Sequence, residues 1–396
     1  MVPSIVRAQP FHVYVGQIEP DSALIAWGTT AGPGNTIGRD SASHGHATVR
    51  IDGRSLAAPR NWLAIEGLAP DREYPYEVAL GGRKIGEGRL RTVPRTASKL
   101  CFLVLGDWGN GKPPQFALGQ QMTREVEKRS ASDNPVRFVL TTGDNIYADT
   151  VLGIPRGGSG RRDEHWGGKF FLPYARLLAR VPFYPSLGNH DGNESESRED
   201  LPVYLDNFFF PRNRPARYYR FGFGGLAEFF ALDTTRNSLA GPTAPQYLEG
   251  GEQSAWLAKA IGEPAARWKI PYFHHPPFTA GPRHDPMLEP LAHWLKLFQS
   301  AGVKVVFTGH EHNLQFSEAG EATGGIRYVI SGAGGELRRP NLEDRLEGTH
   351  IAAWAAQRHF LVVEIENAEM RITPIGVGGA PLELHGAERR LPLVIK

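Results

Sequence analysis

Five short apolar segments after residue 98 constrain the fold of this chain more than any other feature of its sequence. Each segment is nearly continuously apolar and ends in polar, often titratable residues, which is typical of strands in a sheet buried on both faces. The segments between them carry apolar residues three and four positions apart, which predicts helices packed on that sheet. The alternation predicts an α/β fold. The predicted strands are KLCFLVLGD, VRFVLTTGD, AEFFALDTT, WKIPYFHHP and VKVVFTGHEH, and the predicted helices are QFALGQQMTREVEKR, KFFLPYARLLARV and LEPLAHWLKLFQSAG.

The first 95 residues show a different pattern, in which short alternating runs are separated by Gly, Pro and Asp. This pattern predicts an all-β sandwich, and the segment resembles a fibronectin type III domain. Within GLAPDREYPYEV, Leu68, Pro70 and Tyr74 are placed for a tyrosine corner, and Trp27 is the expected buried tryptophan. The alternating runs are SALIAW, HATVRI, NWLAI, EYPYEVAL and KIGEGRLRTV.

A stretch with Pro and Ser, TVPRTASK, separates the two patterns and predicts a linker. We therefore divide the 396 residues into a β-sandwich over 1–95 and a larger α/β domain over 96–396, a division that suits the length of the chain. Near the end of the chain, RHFLVVEIENAEMRITPIG predicts a β-hairpin with its turn near Asn367.

The charge balance excludes partners that require a strong electrostatic field. Lys and Arg number 44 against 42 Asp and Glu, so the net charge is +2, and we expect neither a nucleic-acid nor a membrane partner. No apolar stretch reaches the roughly 18 residues of a membrane-spanning helix, and MVPSIVRAQPFHVYVGQ lacks the pattern of a secretory signal. The single cysteine, Cys101, excludes an internal disulfide framework and is expected in the core of a strand. The oligomeric state stays open.

Polar motifs that begin with glycine follow the predicted strands in order. Each glycine is expected to let the chain turn off its strand, so that the next side chain reaches the carboxyl edge of the sheet. Open α/β sheets bind their ligands at that edge. The motifs are Gly106-Asp107-Trp108-Gly109, Gly143-Asp144-Asn145-Ile146-Tyr147, Gly188-Asn189-His190-Asp191 and Gly309-His310-Glu311-His312, and His274-His275-Pro276 follows a further strand.

The residue types in these motifs indicate a metal site. The motifs offer three imidazoles, two aspartates, one amide oxygen and one phenolate. This set exceeds what one ion can use and suits two borderline or hard transition metals. A carboxylate shared between the two ions would form a bridge. Calcium prefers ligand sets made only of oxygen, and structural zinc commonly uses cysteine, of which the chain has one.

The order GDWG, GDNIY, GNHD, HHP and GHEH resembles the purple acid phosphatases, a branch of the calcineurin-like dinuclear metallophosphoesterases, over most of residues 98–335. Other branches usually have Asp-x-His in the first motif, whereas here Asp107 is followed by Trp108 and Gly109, and Tyr147 would replace the lost imidazole. GHEHNLQF and YVISGAGGE are most similar to the small tartrate-resistant acid phosphatases, and the N-terminal sandwich is similar to the larger plant-type enzymes. The resemblance implies a two-sheet αββα sandwich after the fibronectin-like domain.

The resemblance also implies which residues bind metal. His274 is preferred over His275 because the family pattern is His-x-Pro, and His275 is expected to orient its neighbour. The divalent ion is iron, zinc or manganese, since the same nitrogen and oxygen ligands suit all three. The implied ligands are Asp107, Tyr147 and His312 for a ferric ion, Asn189, His274 and His310 for the divalent ion, and Asp144 as the bridge between them.

Such a centre implies hydrolysis of phosphate monoesters by a metal-activated hydroxide, with a small phosphate ester as substrate. His190, which directly follows Asn189, is the candidate to protonate the leaving alkoxide, and His284 is placed as a second substrate-side histidine. The Gly- and Arg-rich loop 151–168 and the loop 335–350 are candidates for setting substrate preference, since Arg suits bidentate phosphate binding.

Two other functions are compatible with the same residues. The same centre would serve a phosphodiesterase or a nucleotide hydrolase, because a bridging hydroxide attacks phosphorus whatever the number of its ester bonds. A binding protein, in which the sandwich recruits a partner or glycan and the metal site is vestigial, is disfavoured by the complete set of seven candidate ligands. The family is commonly secreted, which favours an exported protein.

Overall fold

The computed structural model describes residues 11–30, 44–148, 165–191, 204, 207–209, 216–235 and 250–396, together with the backbone of 150–151 and 154–155. Among the helices in these ranges, none has the length and apolar character needed to cross a membrane.

The N-terminal part consists of seven antiparallel strands, as the alternating runs predicted. They are β1 His12–Ile18, β2 Ser22–Gly28, β3 Ala47–Ile51, β4 Arg54–Ala58, β5 Trp62–Glu66, β6 Glu73–Leu80 and β7 Arg83–Arg91. One sheet has the order β1-β2-β5 and the other has the order β4-β3-β6-β7. Both sheets contribute buried apolar side chains to one core. This arrangement is the predicted β-sandwich.

Two aromatic residues of the sandwich occupy the predicted positions. The hydroxyl of Tyr74, at the start of β6, accepts a hydrogen bond of 2.7 Å from the amide of Ala69, which is the contact of a tyrosine corner. Trp27 is fully buried, and its indole N–H donates to the carbonyl of His44 at 2.9 Å. The domain boundary near residue 95 stays a prediction, and the next strand begins at Lys99.

The rest of the chain forms two large sheets. Their strands, with a short two-stranded pair β10 Thr150–Val151 and β11 Ile154–Pro155, are β8 Lys99–Leu105, β9 Val136–Thr141, β12 Phe183–Pro185, β13 Tyr219–Phe223, β14 Ala227–Ala231, β15 Trp268–Tyr272, β16 Val305–Thr308, β17 Leu314–Ser317, β18 Arg327–Ser331, β19 Ile351–Ala355, β20 His359–Glu366, β21 Glu369–Gly376, β22 His385–Gly386 and β23 Leu393–Ile395. The six-stranded sheet has the order β12-β9-β8-β20-β21-β23, and the eight-stranded sheet has the order β13-β14-β15-β16-β18-β17-β19-β22.

Aromatic side chains join the two sheets face to face. The ring of Phe102 on β8 lies 5.2 Å from that of Phe229 on β14 and 6.2 Å from that of Phe307 on β16. Helices cover the outer faces, and Trp294 and Phe298 form a second core with Val306 on the outer side of the eight-stranded sheet. This is the predicted αββα arrangement. The helices are Pro113–Arg129, Leu172–Leu178, Glu252–Ala260 and Leu288–Ser300, with a π-helix Gly167–Phe171 and a 3-10 turn Glu343–Arg345.

The predicted C-terminal hairpin is formed by β20 and β21, which pair antiparallel. Asn367 lies in the turn between them with φ of 50°, a conformation that asparagine tolerates better than most residues. The hairpin extends the six-stranded sheet beyond β8, so that β8 lies in the interior of the sheet and the loop after it is supported on both sides.

Candidate metal centre

The five motifs meet where both large sheets end. Asp107, Asp144 and Asn189 follow β8, β9 and β12 of the six-stranded sheet, and His274 and His310 follow β15 and β16 of the eight-stranded sheet. The first three strands are parallel to one another, as are the last two, so their carboxyl ends lie at a common edge. The structure therefore brings together residues that are up to 203 positions apart in the chain.

Three of the predicted ligands have an unusual backbone conformation. The angle φ is 54° at Asp107, 48° at Asp144 and 71° at His310, in the left-handed region that residues other than glycine seldom adopt. A Cβ on Gly309 would lie 2.6 Å from Asp107 Oδ2, and one on Gly188 would lie 2.3 Å from Asp144 Oδ1. Neither of these two glycines has a positive φ, so their role is close packing around the carboxylates rather than the predicted turn.

The first group of ligand atoms surrounds the hydroxyl of Tyr147. This oxygen lies 3.0 Å from Asp107 Oδ1, 3.0 Å from Asp144 Oδ2 and 3.1 Å from His312 Nε2. His312 Nε2 lies 3.4 Å from Asp107 Oδ1. Neighbouring ligands around an ion with bonds of about 2.1 Å are separated by about 3 Å. The spacing of the four atoms therefore fits a single metal ion.

The chemistry of this group also fits a cation. The phenol of Tyr147 has one proton, yet two buried carboxylates and an imidazole nitrogen approach it within hydrogen-bonding distance. Burial and the charges of Asp107 and Asp144 raise the pKa of Tyr147 well above its usual value. A bound cation would reverse this effect, because it stabilises the phenolate and neutralises the carboxylates.

The second group of ligand atoms surrounds Nε2 of His274, whose ring is fully buried. This nitrogen lies 3.0 Å from Asn189 Oδ1, 3.1 Å from His310 Nδ1 and 3.4 Å from Asp144 Oδ2. Asp144 Oδ2 therefore approaches both groups, as expected for a shared carboxylate. All seven residues predicted to bind metal lie in these two groups.

The carbonyl of Thr142 orients His274, because Nδ1 of the ring lies 2.8 Å from this oxygen and Nε2 is left to face the ligand group. That His275 orients its neighbour stays a prediction: the rings of His274 and His275 lie edge-on with centroids 4.9 Å apart. The Nδ1 atom of His275 lies 3.0 Å from Thr234 Oγ1, and its ring centroid is 4.5 Å from that of His310. His275 is thus a further imidazole beside the second group.

Asp144 and His274 stabilise each other's charged forms. Burial raises the pKa of Asp144, but the charges of His274 and His190 outweigh burial and hold it well below its usual value. Burial lowers the pKa of His274, but Asp144 more than compensates and raises it to about 9. A metal ion needs the deprotonated imidazole, so it would bind here in competition with this proton.

Both predicted catalytic histidines lie beside ligand side chains. The amide of His190 donates to Asp144 Oδ1 at 2.8 Å, and its ring centroid is 4.7 Å from that of Tyr147. The ring of His284 lies over that of His310, with centroids 3.8 Å apart. The two histidines therefore approach the centre next to different ligand groups.

Asp191 supports the centre in a way that its sequence position did not reveal. Its Oδ1 accepts the amides of Asn145 at 2.8 Å and Ile146 at 3.2 Å, and its Oδ2 accepts the amide of Gly188 at 2.7 Å. The carboxylate is fully buried. It ties the loop after β9 to the loop after β12, and its place inside the GNHD motif was the available signal.

Glu311, between two predicted ligands, is a second buried carboxylate with a supporting role. Its Oε2 accepts the amides of His284 at 2.9 Å and Arg283 at 3.3 Å, and its Oε1 accepts the guanidinium of Arg338 at 3.1 Å. Burial and the nearby charge of Arg338 together lower the pKa of His284 to about 4. Glu311 thus holds two loops against the centre.

Lys169 is a buried cation that supports Tyr147. Its Nζ donates a hydrogen bond of 2.6 Å to the carbonyl of Tyr147, and its own carbonyl accepts 2.6 Å from the side chain of Gln115. Lys169 is 3% exposed. The helical pattern around it carries no sign of this contact, because the contact depends on how the loop after β9 folds back.

Of the two loops predicted to set substrate preference, 335–350 is described and places Arg338 beside Glu311. In the loop 151–168, residues 152–153 and 156–164 lie outside the described residues, so its role stays a prediction.

Comparison with known proteins agrees with this geometry. Residues 101–314, more than half of the chain, match the calcineurin-like phosphoesterase family. Tartrate-resistant acid phosphatase type 5 from Rattus norvegicus is 27% identical over 74% of this chain and 92% of that protein. Purple acid phosphatase 3 from Arabidopsis thaliana is 25% identical over 74% of this chain and 78% of that protein.

Two solved structures share the fold over nearly the whole chain. The purple acid phosphatase PPD1 from yellow lupin (Lupinus luteus) seeds has a TM-score of 0.68 at 15% identity and is matched over 97% of this chain and 75% of that chain. PhoD has the same TM-score and identity, over 97% of this chain and 90% of that chain. At these identities the likeness concerns the fold alone, and the family match is independent of it. The chain belongs to the calcineurin-like phosphoesterase family, and the named relatives that it resembles in sequence are purple and tartrate-resistant acid phosphatases.

Proposed function

We propose that this chain hydrolyses phosphate monoesters at a dinuclear metal centre. The observation that carries the proposal is the position of Asp144 Oδ2, 3.0 Å from the hydroxyl of Tyr147 and 3.4 Å from Nε2 of His274. One carboxylate thereby joins two groups of ligand atoms. In the proposed centre Asp107, Tyr147 and His312 would hold a ferric ion, Asn189, His274 and His310 would hold a divalent iron, zinc or manganese ion, and Asp144 would be shared by both.

The bound ions would supply an activated water molecule and stabilise the attacking and leaving oxygens of the phosphoryl group. The chain supplies the proton and the orientation of the ester. His190, held through its amide to Asp144, donates a proton from its ring to the leaving oxygen. His284, whose pKa is lowered to about 4 by burial, is neutral above that pH and donates a hydrogen bond to the phosphate.

The names of the relatives support the same activity. The rat and Arabidopsis proteins are acid phosphatases, and both are matched over most of their length. The presence of all seven ligand side chains within the two groups argues against a vestigial site. The proposed substrate is a small phosphate ester.

The purified protein is expected to cleave p-nitrophenyl phosphate with a kcat/KM about tenfold or more above that for bis-p-nitrophenyl phosphate. A monoester leaves three oxygens for the ions and histidines, whereas a diester replaces one of them by a second ester group. Elemental analysis is expected to give about two metal ions per chain, one of them iron. The test measures steady-state rates on both substrates and the metal content of the same sample.

Faster cleavage of the diester would assign the centre to a phosphodiesterase. One metal equivalent or none after reconstitution would contradict the dinuclear centre itself.

Tyr147→Phe is expected to remove the visible colour of the oxidised protein. A phenolate bound to ferric iron absorbs visible light, so the wild type is expected to be purple to pink. The ferric ion is a strong enough Lewis acid to ionise a phenol whose free pKa is about 10. Absorption spectra of equal iron concentrations, with circular dichroism to verify the fold, test this assignment.

Tyr328→Phe is the matched control, because it also removes one buried phenolic oxygen but belongs to the core on the outer side of the eight-stranded sheet. It is expected to keep the colour. A colourless wild type with bound ferric iron, or a coloured Tyr147→Phe variant, would remove Tyr147 from the ligands.

A further inference from the structure

We propose that a cavity of about 630 Å³ beside His284 binds the alcohol part of the phosphate ester and selects an aromatic group that carries an anionic substituent. The inference rests on the proposed phosphatase function and adds a substrate class to it. The anionic substituent is a carboxylate or a second phosphate, which share the chemistry that recognises them.

The cavity lies next to the candidate metal centre. His284 forms part of its wall, and the same ring lies over that of the predicted ligand His310, with centroids 3.8 Å apart. An ester bound at the centre therefore has this cavity beside it as the place for its alcohol.

Part of the cavity wall is apolar. Phe278, Leu288 and Leu291 line it, and Leu288 is 56% exposed although it is a large apolar residue. A bound aromatic ring would remove part of this apolar surface from water, which is the main source of affinity in small-molecule sites. The wall therefore favours an aryl group over a small polar alcohol.

The polypeptide around the cavity is held in place before any ligand binds. Gln315 accepts the amide of Ala280 at 2.8 Å and donates to the carbonyl of Gly281 at 3.0 Å, and Glu311 accepts the amide of His284 at 2.9 Å. Both side chains are fully buried. A preformed wall reduces the entropy lost on binding, so modest contacts are sufficient for selectivity.

Arg345 supplies a positive charge in the lining of the cavity. Its guanidinium lies near Gly281, since a Cβ on that residue would be 3.3 Å from Nη1. Among the described residues no carboxylate forms an ion pair with Arg345, whereas the nearby His350 is paired with Glu318 at 2.8 Å. The guanidinium is thus available to an anionic substituent, and Asp285 is the one acidic side chain among the described residues of the lining.

The test uses phenyl phosphates that carry a 2-carboxyethyl, 2-phosphonoethyl or 2-carbamoylethyl group in the para position. Two methylenes separate the substituent from the ring, so the three leaving phenols have similar basicity. The wild type is expected to cleave the two phenyl phosphates with a carboxyethyl or phosphonoethyl group, called the anionic esters, with a kcat/KM about fivefold above that for the carbamoylethyl compound. The difference is expected mainly in KM. Comparison of the two anionic esters shows whether carboxylate or phosphate is preferred.

Arg345→Gln is expected to abolish this preference, so that the ratio of the kcat/KM values is about one. It is expected to leave the rate on unsubstituted phenyl phosphate unchanged. Arg339→Gln is the matched control, because Arg339 is on the same loop but lines a different cavity. It is expected to keep the preference. A wild type that cleaves phenyl phosphate without preferring the anionic esters, or an Arg345→Gln variant that keeps the preference, would overturn the inference while the proposed function stands.

A protein that does not cleave phenyl phosphate would contradict the proposed function, and a direct binding experiment then decides the inference. Titration of the protein with 3-(4-hydroxyphenyl)propanoate, followed by ligand-observed NMR, is expected to show binding that Arg345→Gln weakens about fivefold. Equal binding to both proteins, or no binding to the wild type, would overturn the inference.

Discussion

Asp144→Ala is expected to lower turnover by about 10⁴-fold or more and to reduce the metal content to well below two ions per chain. The Oδ2 atom of Asp144 approaches Tyr147 in one ligand group and His274 in the other, at 3.0 and 3.4 Å. The Oδ1 atom accepts the amide of His190 at 2.8 Å. Loss of this carboxylate therefore affects both ligand groups and the proposed acid.

Metal analysis and steady-state rates, with circular dichroism to verify the fold, measure this effect. Asp133→Ala is the matched control, because it removes an exposed carboxylate that is paired with Lys99 at 2.6 Å and lies on the surface. The control is expected to keep two metal ions and full activity. Wild-type metal content in Asp144→Ala would refute the bridge.

His190→Ala is expected to lower kcat by about 10²- to 10⁴-fold while the metal content stays unchanged. The substitution removes the ring but keeps the amide that donates to Asp144 Oδ1, so the ligand loop retains its support. A lost proton donor matters more for a basic leaving group. The loss is therefore expected to be larger on an alkyl phosphate than on p-nitrophenyl phosphate.

The ratio of the two losses, measured with one preparation, is the informative quantity. His293→Ala on the helix Leu288–Ser300 is the matched control, since it removes a histidine away from the centre and is expected to change neither rate. Equal losses on both esters would show that His190 positions the phosphate instead of donating a proton. Loss of metal would show that the ring is a ligand.

The strands were predictable because their signal is local. A run such as VRFVLTTGD is mostly apolar over Val136–Leu140, with Arg137 as the exception, and ends in polar turn residues, and the structure has β9 at Val136–Thr141. Tyr74 was likewise predictable as a tyrosine corner, since its partner, the amide of Ala69, lies only five residues away. Short-range patterns of this kind record which face of an element is buried.

The candidate site was predictable only in part. The resemblance to a family identified seven ligands, and the structure places them in two groups that share Asp144. Nothing in the sequence pattern indicated that Asp191 ties two loops together through backbone amides, or that Lys169 donates to the carbonyl of Tyr147. These contacts join a side chain to the backbone of a distant segment. Backbone groups are common to nearly all residues, so the sequence of that segment gives no sign of the contact.

Local sequence patterns were thus sufficient to predict the strands, the order of the motifs, and the types of side chain available for metal binding. How these side chains meet depends on the folded chain, for example the 3.0 Å contact of Asp107 and Tyr147 across 40 positions and the presence of Arg345 and His284 in the lining of one cavity. Apolar periodicity depends on neighbours along the chain. Distances between loops depend instead on how two sheets pack face to face, which is a property of the whole core.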